Sequence, residues 1–368
     1  MKILFLTLNP IESAATRYRM LQYFPYFEQK GYECKLYTFF SSQAQKIIYS
    51  NQLIGKVNVI LSAFIHFQAL VNELNNYDAL FISREVLPFD QSFLVRILKK
   101  CRVPFVYDFD DAVFLRARNG FIRMFENQKS IVHLIENARY VIAGNQHLLN
   151  FARQHNYNST YIPTSVDTNA YRISMNHRHG DIATLGWIGS HSTVKYLYTL
   201  RDALRELALR HPIRLLVVGA KKKVNFPGIE LVNKTWTLKE ELNYFEEIDI
   251  GLAPLIENEW ALGKCGFKVI QYMATGVPCV ASRVGVHKEI ISDGHNGFLC
   301  SDAKEWVDKI SLLITSSHLR EKFCFNGRKS VEETFSVQAN INQYLNLFRN
   351  IGSGKPVFTI SIDEESKL

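Results

Sequence analysis

At 368 residues, with 47% apolar and 21% charged side chains, the chain is large enough for two domain cores and too apolar to be disordered. A net charge of +8 favours an acidic partner such as a nucleotide or a lipid headgroup. Nucleic acid is set aside because the basic residues do not interleave with a recognisable binding motif. The six cysteines form no Cys-x-x-Cys pair and have no partnered histidine spacing, which points to buried thiols in a reducing cytosol.

In chain order, residues 2–8 read as a buried parallel strand, too short for a secretory signal. The loop 9–15 leads into a predicted helix over 16–30 that opens with Arg17 and Arg19. A second strand follows Gly31, and residues 42–75 read as helical. Within them 57–71 comes nearest to a membrane span, but Asn58, Ser62, His66 and Gln68 interrupt it. The expectation is a buried or surface-lying helix, with no stretch reaching the roughly 18 apolar residues of a span. Residues 77–82 form a third strand and place Arg84 at its C-terminal end, where sites in open α/β sheets gather. After a helix over 88–101, the strand 103–107 runs into Asp108, Asp110 and Asp111. Three carboxylates at one strand end repel one another unless a cation or donor is near. They read as a ligand contact or, for one of them, a helix cap. No His or Glu stands at ligand spacing, so no metal is expected. Arg116, Arg118 and Arg123 alternate with Phe121 and Ile122, a pattern suited to an anionic membrane surface. A strand at 139–143, a helix at 146–155 and an edge strand at 160–163 precede a polar linker over 169–181.

Residues 183–195 open a second α/β unit: strand, Gly189, Ser190, a polar turn, then a helix bearing Lys195. That order presents backbone N–H groups and a helix N-terminus to an anion. Strands at 213–218 and 248–255 lead to residues 257–282, where 266–275 reads as a short helix stopped by Gly276 and Pro278. Lys264 and Lys268 add positive charge to the turn at Gly266. Helices are expected at 287–292, 303–314 and 335–350, and a mobile tail after 351.

The run Gln271-Tyr-Met-Ala-Thr-Gly-Val-Pro-Cys-Val, preceded by Gly-Lys-Cys-Gly-Phe-Lys268, resembles the donor-binding core of GT-B glycosyltransferases. It is similar in particular to a bacterial branch of the large retaining family 4. The resemblance implies an α/β chain with two doubly wound, Rossmann-like parallel sheets facing a cleft. The acceptor-side domain would cover 1–170, with the crossing helix 335–350, and the nucleotide-sugar domain would cover 181–334. It implies sugar transfer from a nucleotide-sugar to a hydroxyl acceptor, a lipid-linked one included, in bacterial polysaccharide or glycolipid synthesis. Lys195 and Lys268 would stabilise the leaving diphosphate, with Asp110 and Asp111 as catalytic or sugar-orienting groups. Gly189, Ser190, Lys264, Gly266 and Gln271 would line the donor site, Gln271 holding the ribose, and Arg19 and Arg84 would contact acceptor or sugar. No cofactor or metal is implied, and the expected location is cytoplasmic, peripheral on the inner face of the membrane. The family's two motif glutamates are here Gly263 and Gln271, and the arginine usual after the first glycine turn is Ser190. Two other readings remain: a non-catalytic binding protein, and a nucleotide-dependent oxidoreductase. The second lacks a Gly-x-Gly-x-x-Gly run followed by an acidic residue.

Overall fold

The computed structural model describes residues 1–48, 50, 53–115, 129–173 and 181–353. Among the described residues twelve strands form two parallel sheets of six. The first contains β1 (Lys2–Thr7), β2 (Glu33–Thr38), β3 (Ala79–Ser83), β4 (Phe105–Phe109), β5 (Tyr140–Ala143) and β6 (Ser159–Tyr161), in the order β2-β1-β3-β4-β5-β6. The second contains β7 (Ala183–Ile188), β8 (Ile213–Val218), β9 (Glu230–Lys234), β10 (Ile250–Ala253), β11 (Cys279–Ser282) and β12 (Phe298–Cys300), in the order β12-β11-β10-β7-β8-β9. Each sheet is doubly wound, as the sequence implies. The direction of winding reverses beside β1 in the first sheet and beside β7 in the second, and at such switch points the loops after the strands open a binding crevice.

The chain divides into two compact units, residues 1–162 with 341–368, and residues 163–340. Residues 163–170, counted above with the first domain, make their contacts in the second unit, where Val166 bridges Ser336. The helix Val337–Ser353 starts in the second unit, and from Ile341 its residues belong to the first. There Tyr344 packs 4.4 Å from Tyr23, and Phe348 packs 5.5 Å from Phe27, ring centre to ring centre. With Phe5 and Phe81 these rings form an aromatic core under the first sheet. The second core is built on Trp187, Leu185, Leu215, Val217, Leu252 and Val280.

Two helices depart from the sequence reading. The helix predicted over 16–30 is broken into Ala14–Arg19, a tight turn at Leu21–Tyr23, and Phe24–Glu28, with Pro25 unable to donate to a continuous ladder. The stretch expected to fall short of a span contains a helix, Ile54–Asn76, that is long and apolar enough to cross a membrane by length and composition. The interrupting residues are uncharged, so they lower its hydropathy less than charges would. The basic cluster Arg116, Arg118 and Arg123 lies outside the described residues, as does the tail from 354.

Candidate functional site

The site in the second unit is set by how one helix sits on β7 and β10. The helix Phe267–Ala274 starts at Gly266, whose φ is +63°. Its Tyr272 hydroxyl donates to the Gly186 carbonyl at 3.0 Å and accepts from the Ile188 amide at 3.2 Å. The helix is thereby pinned to β7, and its first turn lies at the Gly189 turn. A Cβ on Gly189 would stand 2.4 Å from the Trp187 ring and 3.0 Å from Lys268 Cε, so the position has no room for a side chain. Gly219, at the end of β8, has φ +87°, and a Cβ there would come within 2.1 Å of the Gly189 carbonyl. The loops after β7 and β8 and the helix after β10 therefore converge on one point.

Lys268 reaches that point with its ammonium 5.0 Å from the centre of the Trp187 ring. Burial, reinforced by the neighbouring Lys264, lowers its pKa to about 8. Lys264 lies with its ammonium 4.4 Å from the Trp260 ring. Aromatic faces tolerate these cations without neutralising them. Sequence reasoning missed His287, which is 3% exposed and lies beside Gly266. Its Nδ1 is 3.0 Å from the Ser282 carbonyl. A carbonyl can only accept, so Nδ1 carries the proton and Nε2 is left as an acceptor. Burial, helped by Lys268, pushes its pKa down to about 4, so the ring is neutral near pH 7. Its only signal in the sequence was a position after β11, which periodicity does not mark. Two lysines, a helix N-terminus and tight glycine turns suit a compact anion such as a diphosphate.

The other predicted donor residues fare differently. Ser190 is exposed, and its loop is closed on itself, with Ser190 Oγ 2.8 Å from Ser192 Oγ and Thr193 Oγ1 donating to the Ser190 carbonyl. Lys195 is exposed in the first turn of a helical run that continues from Val194 through a tight turn at Tyr198–Leu200 to Arg210. Gln271 corrects an expectation. It is 4% exposed, and its amide donates to the buried Tyr171 hydroxyl at 2.8 Å, where the resemblance had it facing a ribose.

In the first unit the three carboxylates are matched by arginines. Asp108 is fully buried and takes the Arg19 guanidinium through Nε and Nη2, while Arg19 Nη1 donates to the Ile162 carbonyl at 2.9 Å. Burial alone would lower the Arg19 pKa, but the Asp108 charge and hydrogen bond, with Tyr344 and Asp110, together outweigh it and hold the guanidinium protonated. Arg19 is 1% exposed, so the expected acceptor contact gives way to a structural ion pair that ties the helix Ala14–Arg19 to β4. Removing one partner of such a pair costs about 3–5 kcal/mol, because the other charge stays buried. Arg84 fits its predicted place better. It pairs with Asp110, lies 3.9 Å from Asp111, and keeps partial exposure at the end of β3. Its φ of +57° is a left-handed backbone conformation uncommon outside glycine. Such strain collects at functional positions. The repulsion expected among the carboxylates is thus relieved within the protein. Among the described residues no group of three or more His, Cys, Asp or Glu side chains could hold a metal ion.

Residues 182–316 match the family model described as Glycosyl transferases group 1. The N-acetyl-alpha-D-glucosaminyl L-malate synthase of Bacillus anthracis is 31% identical over 88 residues, 23% of this chain and 23% of that protein. The capsular polysaccharide biosynthesis glycosyltransferase CapM of Staphylococcus aureus is 22% identical over 52% of this chain and 53% of its own length. The chain thus matches about half, or less, of these curated relatives. Among solved structures, Anabaena Alr3699/HepE in complex with UDP and glucose superposes with a TM-score of 0.69 at 15% identity, covering 95% of this chain and 100% of that one. At that identity the likeness is one of fold. The segment carrying the Gly189 turn, Lys264, Lys268 and His287 therefore lies within the match to the glycosyl transferases group 1 model, in a chain with the GT-B fold.

Proposed function

We propose that this chain is a glycosyltransferase that moves a hexosyl group from a nucleotide-sugar to a hydroxyl acceptor with retention at the anomeric carbon, in bacterial polysaccharide or glycolipid synthesis. The observation that carries the proposal is Lys268, buried at the Gly189 turn beside a second lysine, Lys264, that lowers its pKa further. A buried cation with such surroundings is stabilised by an incoming anion. When the bond between sugar and diphosphate breaks, negative charge grows on the leaving oxygen. Lys268, seconded by Lys264 and the N-terminal end of the helix Phe267–Ala274, is placed to offset it without reorganisation. Lys195 adds a mobile charge, and neutral His287 offers Nε2 as an acceptor beside the same turn. Asp110, Asp111 and Arg84 are the first unit's groups for sugar or acceptor. The reaction as proposed uses no cofactor, and a cytoplasmic location supplies nucleotide-sugars.

A thermal-shift series against nucleoside diphosphates, nucleotide-sugars and nicotinamide dinucleotides tests the reading. A ligand at 100 times its Kd should contribute about 2.7 kcal/mol, and Lys268→Ala should remove most of the shift given by UDP or another nucleoside diphosphate. A shift with the nicotinamide compounds alone would favour the oxidoreductase. Binding of nucleotide-sugars without turnover, across lipid and sugar acceptors, would favour the binding protein.

A further inference from the structure

The helix Leu53–Glu73 presents two opposite faces. Ala63, Phe67, Leu70 and Leu74 are buried, and Phe67 packs against the rings of Tyr37 and Phe39. On the other side Ile54, Val57, Leu61 and Ile65 are 79%, 50%, 59% and 66% exposed. At 100° per residue these four fall within an arc of about 80°, opposite the buried stripe. Asn58, Ser62 and Gln68, exposed and uncharged, flank them. From Cys34 to Asn72 the sequence has no Asp or Glu, while it has Lys35, Lys46 and Lys56.

We propose that this helix lies in the plane of an anionic lipid surface, with Ile54, Val57, Leu61 and Ile65 inserted among the acyl chains and the exposed Lys46 of the preceding helix on the headgroups. An interfacial helix needs only one apolar face, sunk about 5–10 Å, and gains from nearby cations. The acid-free span meets both requirements. A second copy of the chain is a poorer occupant. The stripe is about 16 Å long, a strip well short of the roughly 800 Å² per partner of a stable dimer. Crossing the bilayer is equally poor, because Phe67, Leu70 and Leu74 would have to leave the core they fill. The helix is also tied to the C-terminal edge of the first sheet. In the helix just before it, Ser42–Ile48, Ser42 donates to Glu12 at 2.9 Å and Gln45 to Asn9 at 3.0 Å. Both partners belong to the loop after β1, so docking brings the loops at this sheet edge towards the surface. The proposal stands on this helix and is independent of the transferase reading.

The test is co-sedimentation of the full chain with vesicles of phosphatidylglycerol and phosphatidylcholine, against vesicles of phosphatidylcholine alone. Wild type should bind the anionic vesicles, lose binding as salt rises, and be released by an alkaline wash. Leu61→Asn/Ile65→Asn should weaken binding at least tenfold, with an unchanged circular dichroism spectrum and melting temperature. Lys46→Gln should weaken it less and reduce the salt dependence. Undiminished binding of the Leu61/Ile65 variant overturns the proposal, as does failure of the wild type to bind. Resistance to the alkaline wash would mean a crossing helix. A wild-type dimer that the Leu61/Ile65 variant converts to monomer, with vesicle binding intact, would assign the stripe to a second copy.

Discussion

Lys268 is where a single ionisation links stability and binding. Its folded pKa of about 8 lies below the value of an unperturbed lysine, because burial and Lys264 oppose the charge. Between pH 8 and about 10.4 the unfolded chain therefore holds more protons than the folded one, and stability from this residue rises with pH across that window. Below pH 8 the folded state carries the full cost of a charged Lys268, and an anion in the site offsets that cost. The terminal phosphate of a nucleotide has a second pKa of about 6, so it is fully ionised throughout. Affinity for a nucleoside diphosphate should accordingly fall about tenfold between pH 7.5 and 9.5, measured by calorimetry. Lys268→Arg, whose guanidinium stays charged, should make the profile flat. A wild-type profile already flat would remove Lys268 from the site. His287 shows the same dependence at the acid end. With its pKa at about 4, its neutral state in the fold makes stability fall as pH drops from about 6.5 towards 4.

Elements were legible in the sequence where one period dominated. The strand at 213–218 and the helix after Gly266 are short apolar runs bounded by glycine or proline, and they stand where the pattern put them. The 18-residue helix Ser317–Thr334 was not legible. Its buried positions are only Phe323, Gly327 and Val331, and a glycine in a polar stretch reads as a loop. In the structure Gly327 lies against Met273, with Met273 Cγ 3.2 Å from where a Cβ would be. The site was half legible for a similar reason. Glycine turns and lysines leave a mark in the sequence, whereas the burial of Gln271 and Arg19 depends on partners 100 and 89 residues away. At this scale the turn after β8 is the sharpest test. Gly219→Ala must hold an L residue at φ +87° and put its Cβ into the Gly189 carbonyl, which is backbone and cannot rotate aside. Strain of about 1–3 kcal/mol plus displacement of the Gly189 turn should follow. Chemical denaturation should show the loss, and affinity for a nucleoside diphosphate should drop at least tenfold. An Ala variant with native affinity would mean that the two turns do not jointly shape the site.

Over the whole molecule, two sheets of the same winding serve different chemistry because their switch points carry different side chains. The first sheet gathers arginine–carboxylate pairs beside β1, β3 and β4, and the second gathers Lys264 and Lys268 on aromatic rings beside β7 and β10. The chain returns at its end to complete the first unit, and that makes the unit's stability depend on residues more than 250 positions from its first strand. Phe348 is fully buried, with its ring 5.5 Å from Phe27 and 6.4 Å from both Phe5 and Phe81. Truncating such a ring removes its transfer energy and leaves a cavity, a loss of about 3–5 kcal/mol. That is a large share of the 5–15 kcal/mol typical of a domain. For Phe348→Ala, amide exchange should therefore speed up in β1 and β3, where Phe5 and Phe81 lose their neighbour. Exchange in β7, β8 and β10 should change little, because the second core is built without Phe348. Equal acceleration in both sheets would show that the two units unfold as one cooperative body, and protection unchanged in β1 would show that the closing helix is dispensable to the first core.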